Sequence, residues 1–314
     1  MSFSRRSLIK AGALALTAGA VGSQSPSALA IGPALGTIID FSAGVPSAQA
    51  VKAAGHLGAI RYVSQRRPGA NWMTGKPVTL AETKANAAAG LKTASIYQFG
   101  RAETADWLTG AAGAAVHAPQ AIALHKAAGG PTGRPIYIAI DDNPTRAQYT
   151  NQVRPYLQAF STALRAAGYQ AGVYGNYNVI DWCVTDGIGS FYWMHDWGSG
   201  GKIHPRTAIH QVGGRQATID GVICDINTVY ARDWGQWTPG SRGAAAPAAP
   251  SAPSAPAAPA LPDTSALPNL TFPDVSSRGS SVGPEGITIA GSSVSPEQVR
   301  GAVDVINTVR NAMG

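Results

Sequence analysis

The chain has 314 residues, 45% of them hydrophobic and 13% charged, with a formal net charge of +7. That length suits one large α/β domain with appendages, and the apolar share is enough to build a sizeable core. Part of the positive excess is Arg5, Arg6 and Lys10, the rest is dispersed, and no Lys/Arg block with interleaved aromatics occurs; nucleic acid is therefore not an expected partner.

The N-terminus reads SRRSLIKAGALALTAGAVGSQSPSALA. A twin arginine precedes a short apolar run, and Ala28-Leu29-Ala30 offers a small-residue cleavage site, so residues 1–30 are expected to be an export signal. The Ser-Arg-Arg-x-apolar-apolar-Lys pattern resembles signals read by the twin-arginine (Tat) machinery. The run is broken by small residues and is short for a bilayer, so no membrane span is expected in the mature protein, which is secreted or associated with the cell envelope.

Between 31 and 240 the pattern alternates strand and helix. Strands are expected at 36–42, 58–64, 91–98, 135–141, 171–175, 190–196, 207–212 and 221–227. Ala-rich helices are expected at 46–54, 79–89 and 145–167, the last with Tyr149, Val153, Tyr156, Leu157, Phe160 and Leu164 on one face. Eight strands with intervening helices indicate a (β/α)8 TIM-like barrel, although the connections after 196 and 212 are too short for full helices. A doubly wound open sheet is less suitable, because no glycine-rich phosphate loop follows the first strand.

Beyond the barrel, residues 241–294 read as an Ala/Pro/Ser-rich disordered linker. Residues 295–314 read as one short amphipathic helix carrying Val299, Val303, Ile306 and Val309, with Ser295 as N-cap. Cys183 and Cys224 are the only cysteines and are expected to be separately buried.

The carboxylates are concentrated where strands stop. Of the twelve acids between 31 and 240, Asp40, Asp141, Asp142, Asp196 and Asp225 fall at the ends of expected strands. In a barrel those ends share one mouth, and gathering like charges there costs stability unless something uses them. Asp142 or Asn143 could instead cap the following helix. Near the acids lie Tyr97, Gln98, Tyr174, Trp193, His195 and Gln211. Flat apolar faces beside hydrogen-bonding amides suit a carbohydrate. Arg61 is positioned to pair with Asp40 inside the barrel. His195, His204 and His210 match no common zinc spacing, so neither a metal nor a cofactor is expected.

Taken together, the Tat-like signal, TIIDFSAG, AIRYVS, IYIAIDDNP, GVYGNY, YWMHDW, HQV and CDIN resemble a glycoside-hydrolase-like domain family of exported bacterial proteins, over about residues 34–237. That family is similar to the family 25 lysozymes, barrel muramidases with an Asp ending strand 1, Asp-x-Glu ending strand 4 and Asp-x-Asn ending strand 8. The resemblance implies site roles for Asp40, Asp141, and Asp225 with Asn227, and a cell-envelope glycan, peptidoglycan above all, as substrate. The general-acid Glu of the pattern falls on Asn143, and an amide cannot donate a proton as a carboxylic acid does. Three outcomes are open: Asp142 or Glu103 supplies the proton, Asn143 orients a substrate acetamido group while a neighbouring Asp acts, or the cleft binds glycan without hydrolysing it.

Overall fold

The computed structural model describes residues 31–241 and three short strands between 280 and 294. The signal segment, the Ala/Pro-rich stretch 244–268 and the C-terminal helix expected at 295–314 lie outside the described residues.

The eight expected strands are all present: β1 Gly36–Asp40, β2 Gly58–Tyr62, β3 Lys92–Tyr97, β4 Pro135–Ala139, β5 Gln170–Gly175, β6 Phe191–His195, β7 Ile209–Ile219 and β8 Val222–Val229. They close in sequence order into one barrel. Ile38, Ile60, Ala94, Ile96, Tyr137, Ala139, Trp193 and Ile209 form a single buried cluster inside it. The intervening positions, such as Ile39, Ile136, Ile138 and Val173, pack outward against the helices. Both faces of the strands are therefore apolar, as a helix-covered sheet requires.

Helices follow the first five strands: α1 Ala48–Ala53, α2 Leu80–Ala88, α3 Ala111–Ala127, α4 Arg146–Gln148 continuing through a π-turn at Tyr149–Val153 into α5 Arg154–Ala166, and α6 Tyr177–Thr185. The six apolar residues expected on one face of 145–167 are all fully buried. Side chains of Ser47, Thr79, Thr145 and Asn176 cap α1, α2, α4 and α6. The cap on α4 is thus Thr145, and neither Asp142 nor Asn143 is used for it.

The last third departs from a (β/α)8 pattern. No helix follows β6, and β7 and β8 form a hairpin through Asp220–Gly221, whose φ values of 52° and 77° mark a two-residue primed turn. β8 consequently runs antiparallel to both β7 and β1, so the cylinder is not wholly parallel. The hairpin rises beyond the barrel, with a register shift between Gln211 and Gln216. Inside the segment expected to be a linker, β9 Ser280–Gly283, β10 Gly286–Ile289 and β11 Ser292–Val294 pair as a small antiparallel sheet. Cys183 and Cys224 are both buried and unpaired.

Candidate functional site

Side chains alternate along a strand, so the parity that sends Ile38, Ile96, Tyr137 and Trp193 into the barrel also sends in the residues two or four positions further on. Asp40, Tyr62, Gln98, Asp141, Tyr174 and Gln211 share that parity and emerge at the C-terminal rim. They border an open cleft of about 710 Å³, together with Trp193, Arg101, Gln216 and Asp225. Its walls are apolar: Trp72, Trp197 and Ile223, exposed by 54%, 37% and 58%, line the same space. Asp225 reaches this rim because β8 is reversed. It lies in the first half of its strand, directly opposite Asp40.

A continuous set of hydrogen bonds holds the acids. Gln211 Nε2 donates to Asp40 Oδ2 (3.3 Å) and Asp225 Oδ2 (3.1 Å), and its Oε1 accepts from Tyr174 Oη (2.6 Å). That hydroxyl also lies 3.5 Å from Asp141 Oδ1, whose other oxygen accepts from Gln98 Nε2 (2.9 Å). Asn227 Nδ2 donates to Asp40 Oδ2 (2.8 Å), while its Oδ1 accepts from Trp193 Nε1 (2.8 Å). Gln216 Nε2 donates to the second oxygen of Asp225 (2.7 Å). Asp40 is 3% exposed, and burial, reinforced by the neighbouring Asp225, pushes its pKa up to about 8. Burial also raises the Asp141 carboxyl, against the hydrogen bond from Gln98 and the charge of Arg101.

Several expected site residues fall elsewhere. Asp142 has the opposite parity to Asp141 and accepts from Trp107 Nε1 (2.9 Å), away from the cleft lining. Tyr97 is directed out of the barrel, its hydroxyl 2.7 Å from His117 Nδ1. Arg61 also lies on the outer face. It does not bond to Asp40 but pairs with Glu82 at 2.5 Å and donates to the carbonyls of Phe41 and Gly75. Asn143 is exposed and accepts from Asn176 Nδ2 (2.9 Å) without lining the cleft. Buried His195 stacks beneath Trp197 at 3.9 Å and 16°, and burial pulls its pKa down to about 3, so it supports that indole as a neutral ring. Asp196 is held by His210 Nε2 and the Gly213 amide, bracing the start of the hairpin. Among the described residues, no three His, Cys, Asp or Glu side chains are gathered to hold a metal ion.

The lining residues absent from the sequence expectations include Tyr62, Trp72, Arg101, Trp197, Gln216 and Ile223. Tyr62 was accessible by strand parity, two positions after Ile60. The others are carried on loops or on the hairpin, where period-two reasoning has no hold. Lys76, close behind the rim, donates to the Gln98 carbonyl (3.0 Å) and lies 3.8 Å from the Tyr62 ring; burial lowers its pKa to about 7.

A closed α/β barrel whose strand ends supply clustered carboxylates to an aromatic-walled cleft is a glycoside-hydrolase-like architecture. The family described as "Rv2525c-like, glycoside hydrolase-like domain" matches residues 49–230, and the chain belongs to it. Over 242 residues it is 47% identical to the Mycobacterium tuberculosis protein named "Putative peptidoglycan hydrolase Rv2525c", covering 76% of this chain and 100% of that one. Crystal structures of the Tat-secreted M. tuberculosis protein Rv2525c, in complex with L-tartrate and with HEPES, give TM-scores of 0.62 and 0.61 at 47% identity. Each covers 65% of this chain, and 100% and 99% of the solved chains respectively. With the twin arginine at Arg5–Arg6, this likeness places the protein on the same export route.

Proposed function

We propose that the cleft engages a cell-envelope glycan, peptidoglycan being the substrate class, and cleaves a glycosidic bond there. The observation that carries this reading is the convergence of Asp40, Asp141 and Asp225 in one cleft with exposed indoles on its walls. Sugar rings stack on Trp72 and Trp197, while Gln98, Gln211 and Gln216 offer fixed amide partners to hydroxyls. The name of the M. tuberculosis relative supports peptidoglycan as the glycan.

Asp141 is the proton donor in this reading. Its carboxyl lies in the cleft and burial raises its pKa, the direction that a general acid requires. Asp225, on the same cleft, presents its carboxyl to the positive charge that develops at the anomeric carbon. Asp40 retains its proton at pH 7 and so adds no negative charge beside the other two carboxyls. Asn227 and Gln211 position these groups, and neither Asp142 nor Tyr97 takes part.

Asn143 supports a second reading, glycan binding without hydrolysis, because it stands where the lysozyme pattern has its acid. Purified mature protein incubated with peptidoglycan, assayed for new reducing ends, separates the two. Release abolished by Asp141→Asn but retained by Asp142→Asn supports the enzyme as described. No release from wild type, with release gained by Asn143→Glu, establishes the binding protein. Equal loss in Asp142→Asn refutes the role given to Asp141.

A further inference from the structure

The cleft contains one charge that the chemistry above does not use. Arg101 is the single Lys or Arg among its lining residues, and its side chain is exposed. The backbone that carries it is tightly held. The Arg101 amide donates to Thr104 Oγ1 (3.1 Å), and Thr104 Oγ1 donates back to the Arg101 carbonyl (2.9 Å). The buried Asp106 carboxylate accepts the amides of Phe99 (2.8 Å) and Gly100 (2.7 Å) just before it. A Cβ on Gly100 would lie 1.7 Å from the Thr104 carbonyl oxygen, so only glycine permits this winding. The next residue, Ala102, has φ of 51°, in the left-handed region that costs a non-glycine residue stability. A strained and braced hook thus presents a guanidinium that makes no hydrogen bond or ion pair with its side chain among the described residues. It remains separate from Asp141 and Asp142, although close enough for its charge to act on both.

We propose that Arg101 is a specificity-determining residue that recognises a carboxylate borne by the glycan, so that the cleft prefers acidic sugars over neutral chains of the same length. This rests on the reading of the cleft as a glycan site. A planar guanidinium fork matches a carboxylate bidentately. A phosphate dianion would fit the fork as well, but the aspartates of the floor repel a double charge more strongly than a single one. The cleft then has two zones: an acidic floor for the uncharged part of a sugar and a cationic hook at the rim for its acid substituent.

The test uses tryptophan fluorescence titration of the mature protein with three probes. These are chitotetraose, a tetrasaccharide of alternating N-acetylglucosamine and N-acetylmuramic acid with free lactyl carboxylates, and the same tetrasaccharide with those carboxylates converted to methylamides. The acid form is expected to bind about tenfold more tightly than the methylamide at low salt, a difference that shrinks as added salt screens the pair. Arg101→Gln is expected to abolish the preference, and Arg101→Lys, which keeps the charge but loses the fork, to retain part of it. Equal binding of acid and methylamide by wild type, or a preference that survives in Arg101→Gln, overturns the inference while leaving the glycan cleft intact. Failure of all three probes to bind overturns the glycan reading and this inference with it.

Discussion

Replacing Asp40 by Asn removes a titrating group from the centre of the site while preserving its shape. The Asn oxygen can take the place of Oδ2, accepting from Asn227 and Gln211, and its amide nitrogen then faces Tyr62 Oη, which lies 3.4 Å from Oδ1 and can accept. In the fold the Asp40 pKa is about 8, against 3.8 for the free side chain. Each pH unit between those values corresponds to ~1.4 kcal/mol, so ionising Asp40 in place costs about 6 kcal/mol. Between pH 4 and pH 8 the unfolded chain has released this proton and the folded chain still holds it. Stability attributable to Asp40 is therefore fully present below pH 4 and declines as pH rises to 8. His125 and His195, pulled down to about 4 and about 3 by burial, act in the opposite direction: their contribution is lost as pH falls below 6.5. Both variants share those histidines, so the difference between wild type and Asp40→Asn isolates the carboxyl. Urea unfolding from pH 5 to pH 8 should show Asp40→Asn gaining about 4 kcal/mol on wild type over that interval. A difference that stays constant with pH would refute the assignment of a buried, protonated Asp40.

Glu82→Gln keeps an oxygen that can accept from Arg61 but removes the charge that balances its fully buried guanidinium, and this loss should cost about 3 kcal/mol in chemical denaturation. A cost below about 1 kcal/mol would mean that neutral acceptors, the substituted amide with the carbonyls of Phe41 and Gly75, suffice. Trp197→Ala should weaken glycan binding about tenfold in the fluorescence titration, and should also uncover His195, letting its pKa rise from about 3 toward 6.5 when followed by NMR. An unchanged His195 titration would show that burial at this ring does not depend on the indole above it.

The barrel was legible because its signals are local. Eight apolar runs of strand length, separated by Ala-rich helical stretches and turn residues, locate the strands within two residues at each end, except β7, expected to stop at 212 and continuing to Ile219 in the hairpin. The amphipathic face of 145–167 is wholly buried as its spacing implies. Helix α3 was less accessible, since alanine on every side leaves it without periodicity and Pro119 interrupts the pattern. The hairpin was visible only as connections too short for helices. Its consequence, a reversed β8, depends on which neighbours the strand finds when the barrel closes.

The site divides along the same line. The sequence alone located the acids at strand ends and placed Asp40, Asp141, Gln98, Tyr174, Trp193 and Gln211 around one rim, because strand ends and barrel closure follow from a short repeating pattern. Asp225 was expected at the same rim as the end of a strand, but it arrives there from the first half of a reversed β8, which only the tertiary structure decides. Tyr97, Arg61 and Asp142 needed the parity of each strand relative to the core, a shift of one residue that turns a side chain from the cleft to the helix layer. Arg101, Trp72 and Trp197 were decided by tertiary structure only. They stand on irregular segments whose course is set by contacts far apart in the chain, such as the carboxylate of Asp106 on the Phe99 and Gly100 amides or His195 beneath Trp197. Local pattern specifies where a strand ends and which residue is there; only packing between distant segments decides what that residue faces.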